Sequence, residues 1–258
     1  MYNKNFLISC GVISLLLLLL LSFFVNMYNV PLFLSLNCLN SNLSDAFWIS
    51  MTTLGDGLLL GIVLGMFIIV NPRITLLGLI LMASSSVATN IIKSLLPTIR
   101  PAAFLPDVHV VGPLLRSGSF PSGHSAAAFA TALALAHFSS SRTLRVVLLS
   151  FATLVGLSRI FVGAHFPNDV LWGIIISLAI YELTSQFLWP QIEPNVPDHP
   201  VLYNNFFKVL IAVEVITALF CLIIYSQEFA ESPPVAIAVS SGVLTFFSMA
   251  FLKLNSRY

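Results

Sequence analysis

Charge is what this 258-residue chain has least of. Only 8% of its residues are Asp, Glu, Lys or Arg, against about 25% in an average soluble domain. The formal net charge is +1 and no basic run occurs, which excludes a surface built to bind nucleic acid and says nothing in favour of acidic partners. Cysteine is also scarce. Cys10, Cys38 and Cys221 have no CxxC spacing and cannot build a disulfide framework. The "LISC" ending at Cys10 precedes its apolar run instead of following it, the reverse of a lipoprotein signal.

What the chain has in excess is apolar surface: 58% of its residues are hydrophobic and the mean hydropathy is +0.98. A soluble core cannot absorb that, so the class is integral membrane protein. Apolar runs fall near residues 6–25, 50–70, 74–96, 122–138, 144–161, 170–188, 207–225 and 235–251. In lipid each segment must satisfy its own backbone polar groups, and these lengths suit helices and not barrel strands. The expected fold is therefore all-α, a polytopic bundle of about eight spans, the first a retained signal anchor. The expected organisation is a membrane core over 1–188, a cytoplasmic proline-rich linker over 189–206 and a transmembrane hairpin over 207–258.

Orientation follows from the basic residues. With the N-terminus inside, Lys4, Arg73, Arg142, Arg145, Lys208, Lys253 and Arg257 lie on the cytoplasmic side, and Lys93, Arg100, Arg116 and Arg159 outside. Seven against four supports cytoplasmic N- and C-termini. The four outer cations run against the rule and need a reason. Parity supplies one, because Lys93, Arg100, His124, Arg159, His165 and Asp169 all reach the same membrane face.

In "FPSGHS", residues 120–125, Pro121 suits the start of a helix, and Gly123 allows a ligand close to the backbone. The amides around Ser122, Gly123 and His124 would make an anion site at a helix N-terminus. In "KSLLPTIRP", residues 93–101, Pro97 breaks the helix after Lys93, and Pro101 biases Arg100 to an extended conformation. One such cation usually only snorkels to water. Three of them with a helix start on one face suit a phosphate group. His165 and Asp169 are four apart, a spacing that puts both on one helical face, where the carboxylate can fix the imidazole tautomer. His165 is thus the better nucleophile, and His124, with no acid neighbour in sequence, the better proton donor.

These stretches, K-x6-RP (Lys93, Arg100, Pro101), PSGH (Pro121 to His124) and SR-x5-H-x3-D (Ser158, Arg159, His165, Asp169), resemble the three signature motifs of the type 2 phosphatidic acid phosphatase family. The resemblance implies a phosphohistidine at His165 supported by Asp169, with His124 protonating the leaving group. It implies that Lys93, Arg100, Ser122, Gly123 and Arg159 hold the phosphoryl oxygens. It implies no cofactor and no metal, in keeping with the lack of a carboxylate cluster for Mg²⁺. Two spans beyond residue 188 depart from the six-span core of simpler members.

The implied substrate is a lipid phosphate or pyrophosphate at the outer face of a membrane, with a bacterial inner membrane favoured by the short loops and compact size. Phosphotransfer to a lipid acceptor would use the same residues, a soluble sugar phosphate would need a pocket open to water, and an anion transporter would leave His124 and the His165–Asp169 pair without a role. Outside the motifs, Asp56 in "LGDG" either supports the site from behind or caps a broken helix, and His109 and Arg116 lie in the outer loop within reach of substrate. Leu32, Leu36, Leu39, Leu43 and Phe47 have the spacing of an amphipathic helix in the outer interface, or of a packed connection. Glu182 and Glu214 read as structural contacts nearer the inner side, and His137 and His199 as bystanders.

Overall fold

The computed structural model describes residues 4–39, 44–197, 205–228 and 233–255. Among these the chain is all-helical, with one isolated bridge between Ile99 and Ser117 and no strand. The helices are α1 (Lys4–Met27), α2 (Asn29–Cys38), α3 (Asp45–Thr53), α4 (Gly57–Met66), α5 (Pro72–Leu95), α6 (Pro101–Phe104), α7 (Gly123–Phe138), α8 (Arg142–Phe161), α9 (Pro167–Leu183), α10 (Trp189–Ile192), α11 (Asn205–Glu228) and α12 (Pro233–Asn255).

At the centre stands α7, with α5, α8 and α9 packed around it. Its run from Ser125 to Ala132 is buried without a break, as expected of a helix that is apolar all round. Alanines let its neighbours approach closely. Gly173 of α9 does the same from the other side: a Cβ there would lie 2.6 Å from the Ser122 carbonyl oxygen and 2.9 Å from Ser125 Cβ. By contrast α8 is two-faced. Ala152, Val155 and the stretch Ser158–Phe161 face inward, and Leu144, Val146 and Val147 are exposed.

Three described helical runs are individually long and apolar enough to cross a membrane: Pro72–Leu95, Arg142–Phe161 and Pro167–Asn195. Two bent pairs add one span each if counted as units, Gly11–Met27 with Asn29–Cys38 (84°) and Asp45–Thr53 with Gly57–Ile69 (59°). The other three of the eight apolar runs are α7, whose 16 residues are about 24 Å long, and α11 and α12, with shorter apolar stretches at Ile211–Ile223 and Pro234–Met249. The molecule is an all-helical membrane protein.

The structure corrects three local expectations. The second span is not one helix: Leu54 to Asp56 break it, and Asp56 caps the second half by accepting the amides of Leu58 (2.8 Å) and Leu59 (3.3 Å). The helix expected across residues 30–48 ends at Cys38, and Leu43 lies outside the described residues. This α2 bends 84° from α1 and is anchored through Phe33 and Asn37. The Asn37 amide donates to the carbonyls of His109 (3.0 Å), Ile160 (3.2 Å) and Phe161 (3.2 Å), beside buried Phe33. Third, the linker expected from residue 189 starts as structure. Helical turns continue through Asn195, Trp189 is buried among Leu77, Leu81, Ala130 and Ala134, and Arg73 pairs with Glu193 at 3.7 Å. Of the hairpin, Ala218, Cys221, Ala236, Val243 and Phe247 form one core with Leu59, Ile62 and Ile68 around α4.

The tight α7–α9 contact yields a stability test. Gly173→Val should overpack the junction and cost about 1–3 kcal/mol, read as a lower Tm in detergent. Gly242→Ala, where a Cβ meets nothing within 4 Å, should leave Tm unchanged or slightly raised.

Candidate active site

Two loops bring the motif residues together. After α8 the chain turns back on itself: the Arg159 carbonyl accepts the amides of Ala164 (3.0 Å) and His165 (3.1 Å), and Gly163 takes a positive φ of 75°. That places His165 close beneath Arg159. On the other side, residues 98–100 run antiparallel to 116–119, through Arg100 N–H to the Arg116 carbonyl (3.0 Å) and Ser119 N–H to the Thr98 carbonyl (3.3 Å). The start of α7 then meets the start of α9, where the Ser122 amide donates to the Asp169 carbonyl at 2.9 Å.

His165 and Asp169 are neighbours, but not as residues on one helical face. His165 precedes α9 and Asp169 sits in its first turn, so loop closure brings them together. The gap from His165 Nδ1 to Asp169 Oδ2 is 3.6 Å, and Nδ1 has no hydrogen-bond partner. The same Oδ2 already accepts the Ser119 hydroxyl (2.6 Å) and the Phe166 amide (2.9 Å). Ser119 was not legible in the sequence, because a serine 50 residues upstream carries no mark of its partner. Burial first, then the charges of Arg159, Arg100 and Lys93, push the His165 imidazole well below its ordinary pKa of 6.5.

Arg100 has the extended backbone expected before Pro101 (φ −81°, ψ 157°), yet it is clamped and not free. Its guanidinium donates to the carbonyls of Ser117 (2.9 Å), Ala164 (3.0 Å) and Gly118 (3.3 Å), and its Nη1 lies 3.4 Å from His165 Nε2. Burial is the main force lowering its pKa from the ordinary guanidinium value, with Asp169 opposing. Arg159 is buried and donates from Nη1 to Thr52 Oγ1, while its Nε has no partner. Thr52, 107 positions away in sequence, is a second residue that sequence reasoning missed.

Ser122 was expected to contact phosphate, and the structure gives its oxygen a further role. It is fully buried, and its hydroxyl oxygen caps α7 by accepting the Ser125 amide (3.4 Å) and hydroxyl (2.9 Å). The first-turn amides of Gly123 and His124 have no intrachain acceptor among the described residues, as helix starts ordinarily leave them. A Cβ on Gly123 would meet nothing within 4 Å, so the space over these amides is open. Lys93, Gly123 and His124 line one cavity of ≈ 540 Å³, and His124 and Arg159 line another of ≈ 130 Å³. Asp56, besides capping α4, lines both.

Other expected residues are not brought in. The side chain of Arg116 is exposed, and its carbonyl holds the Arg100 amide. His109 pairs with Asp45 at 2.9 Å on the outside, and His137 contacts the Tyr181 hydroxyl at 3.1 Å. His199 lies outside the described residues.

Residues 74–193, which carry all of these motifs, match the model of the PAP2 superfamily. Undecaprenyl-diphosphatase BcrC of Bacillus subtilis is 36% identical over 104 residues, 39% of this chain and 53% of its own length. Phosphatidylglycerophosphatase B of the same organism is 30% identical over 132 residues, 48% of this chain and 62% of its own. The chain thus spans between about half and three-fifths of these relatives. The crystal structure of Aquifex aeolicus LpxE superposes with a TM-score of 0.57 at 29% identity, covering 62% of this chain and 95% of that one.

The open space over Gly123 can be probed directly. Gly123→Ala should weaken binding of inorganic phosphate about 10-fold, measured by calorimetry, with no loss of Tm, since the added methyl fills ligand space and not core.

Proposed function

We propose that this protein is an integral membrane, metal-independent phosphatase that hydrolyses a lipid phosphate or pyrophosphate through a phosphohistidine on His165. One observation carries the reading. Arginine can only donate hydrogen bonds, so the approach of Arg100 Nη1 to His165 Nε2 at 3.4 Å marks Nε2 as the lone pair. The ring proton then belongs on Nδ1, the nitrogen beside Asp169. With its pKa held down, the imidazole is neutral at pH 7, and its lone-pair nitrogen, Nε2, faces Arg100 of the cation cluster. That is a nucleophile set against a place for phosphate.

The roles follow from position. Lys93, Arg100, Arg159 and the amides of Gly123 and His124 would surround the phosphoryl oxygens, and Ser122 would hold the helix start that presents those amides. Nε2 attacks phosphorus as the bond to the leaving oxygen breaks, and that oxygen takes a proton from His124. Water then gives its proton to His124 and attacks the phosphorus, the N–P bond breaks, and inorganic phosphate leaves with His165 neutral again. Asp169 carries the Nδ1 proton's partner charge throughout. Phosphate monoester hydrolysis requires rate enhancements up to ~10²¹-fold, so charge stabilisation and positioning must dominate.

A lipid substrate is supported by one face of α5. Leu79, Met82 and Ala83 lead to Ser86 and Asn90 and end at Lys93, all lining the larger cavity. The gradient from apolar to polar to cationic matches an amphiphile with its phosphate at His124. The charge distribution of the loops supports cytoplasmic termini and a site on the outer face, periplasmic if the membrane is a bacterial inner membrane.

The test is phosphate release by purified protein in detergent with EDTA, across a panel of lipid phosphates, lipid diphosphates and one sugar phosphate. Release should resist EDTA and fall at least ~10³-fold in His165→Ala, and ~10²–10⁴-fold in His124→Ala. Acid quenching should trap phosphate on wild type and none on His165→Ala. Metal-dependent release, or full activity in His165→Ala, would sink the reading, and transfer of label to an added lipid alcohol would convert it to phosphotransfer. Because the His165 pKa is lowered, the nucleophile stays unprotonated down to that value. The acid limb of kcat/KM assigned to it should therefore lie below pH 6.5.

A further inference from the structure

A carboxylate sits where an anion site should exclude one. His124 and Asp56 line both cavities, Arg159 belongs to the smaller and Lys93 to the larger. Among the described residues, Asp56 is the one acid lining either. Its cap on α4 explains a side-chain oxygen but not a charge, because Asn and Ser cap about as well as Asp. The cap also uses a single oxygen, Oδ1, for Leu58 and Leu59. The half-buried carboxylate is within electrostatic reach of Arg159, which Thr52 holds from just before the same bend. Arg159 keeps a buried Nε with no partner. Asp169, the other acid of the site, is occupied by Ser119 and Phe166 behind His165.

A site of three cations and two free amides has a difficulty of its own. Its product is a phosphate anion that the same groups retain, and slow product release limits many enzymes. We infer that Asp56 is a positioning residue that sets the affinity for product: it balances Arg159 in the empty site and repels inorganic phosphate once hydrolysis has freed it. The inference rests on the phosphoryl-site reading above. A unit charge several ångströms from a bound anion, at the effective dielectric of a protein site, changes affinity on the order of 10-fold or more.

The experiment compares Asp56→Asn and Asp56→Ser, which keep a capping oxygen and remove the charge, with wild type and Arg159→Ala. Full-length proteins in detergent are titrated with inorganic phosphate at pH 7 by calorimetry and as product inhibition, and Tm is read without phosphate. Both Asp56 variants should bind phosphate about 10-fold or more tightly, at unchanged Tm. Their kcat should fall while kcat/KM holds, and Arg159→Ala should bind more weakly. A merely structural role for Asp56 would lower Tm and weaken phosphate together. Equal or weaker binding in both Asp56 variants, or loss of fold in both, overturns the role of Asp56 while the weakened Arg159→Ala keeps the phosphoryl site intact. Wild type and Arg159→Ala that respond identically to phosphate overturn the site reading, and this inference with it.

Discussion

One backbone hydrogen bond organises the site: the Ser122 amide to the Asp169 carbonyl, 2.9 Å. It locks the first turn of α7 to the first turn of α9, and so joins two motifs 47 residues apart in the chain. The bond exists only because Gly173 and the small residues of α7 let the two helices come this close. Once they do, Ser119 reaches the Asp169 carboxylate, Phe166 closes the turn, and His165 is left facing Arg100. A side chain at Gly173 would collide with Ser122 and Ser125 and push the two helix starts apart.

Gathering cations within a membrane domain is costly, since each loses water and repels the others. The structure offsets this in a different way for each. Arg100 is wrapped by the carbonyls of Ser117, Gly118 and Ala164, whose partial negative charge is fixed by the loops that carry them. Arg159 has the Thr52 hydroxyl and the nearby charge of Asp56. Lys93 ends α5, where a cation complements the helix dipole. These three local solutions hold the cations within electrostatic reach of one another.

The periphery connects to this centre through α4. Its N-terminus carries Asp56, and its body, from Leu59 to Ile62, is the surface on which the α11–α12 hairpin packs. The same short helix therefore borders the site at one end and holds the added hairpin along its side. The break before it lets both happen. A straight second span would carry Thr52 and Asp56 on one continuous helix and lose the cap that starts α4.

The chain by itself determined the class and the helices, and marked the residues of the candidate site. A mean hydropathy of +0.98 requires lipid, and hydrogen bonding within lipid requires helices. Lys93, Arg100, His124, Arg159, His165 and Asp169 were legible because local constraint marks them, through prolines, helix starts and short spacings. Only the tertiary structure decided the rest. Ser119 and Thr52 are ordinary residues until contacts 50 and 107 positions long give them partners. Arg116, read as within reach of substrate, has an exposed side chain and serves through its carbonyl, and the Ser122 hydroxyl oxygen caps α7. A residue's type fixes which bonds it can make, but burial and competition among neighbours choose between them, and both depend on the folded chain.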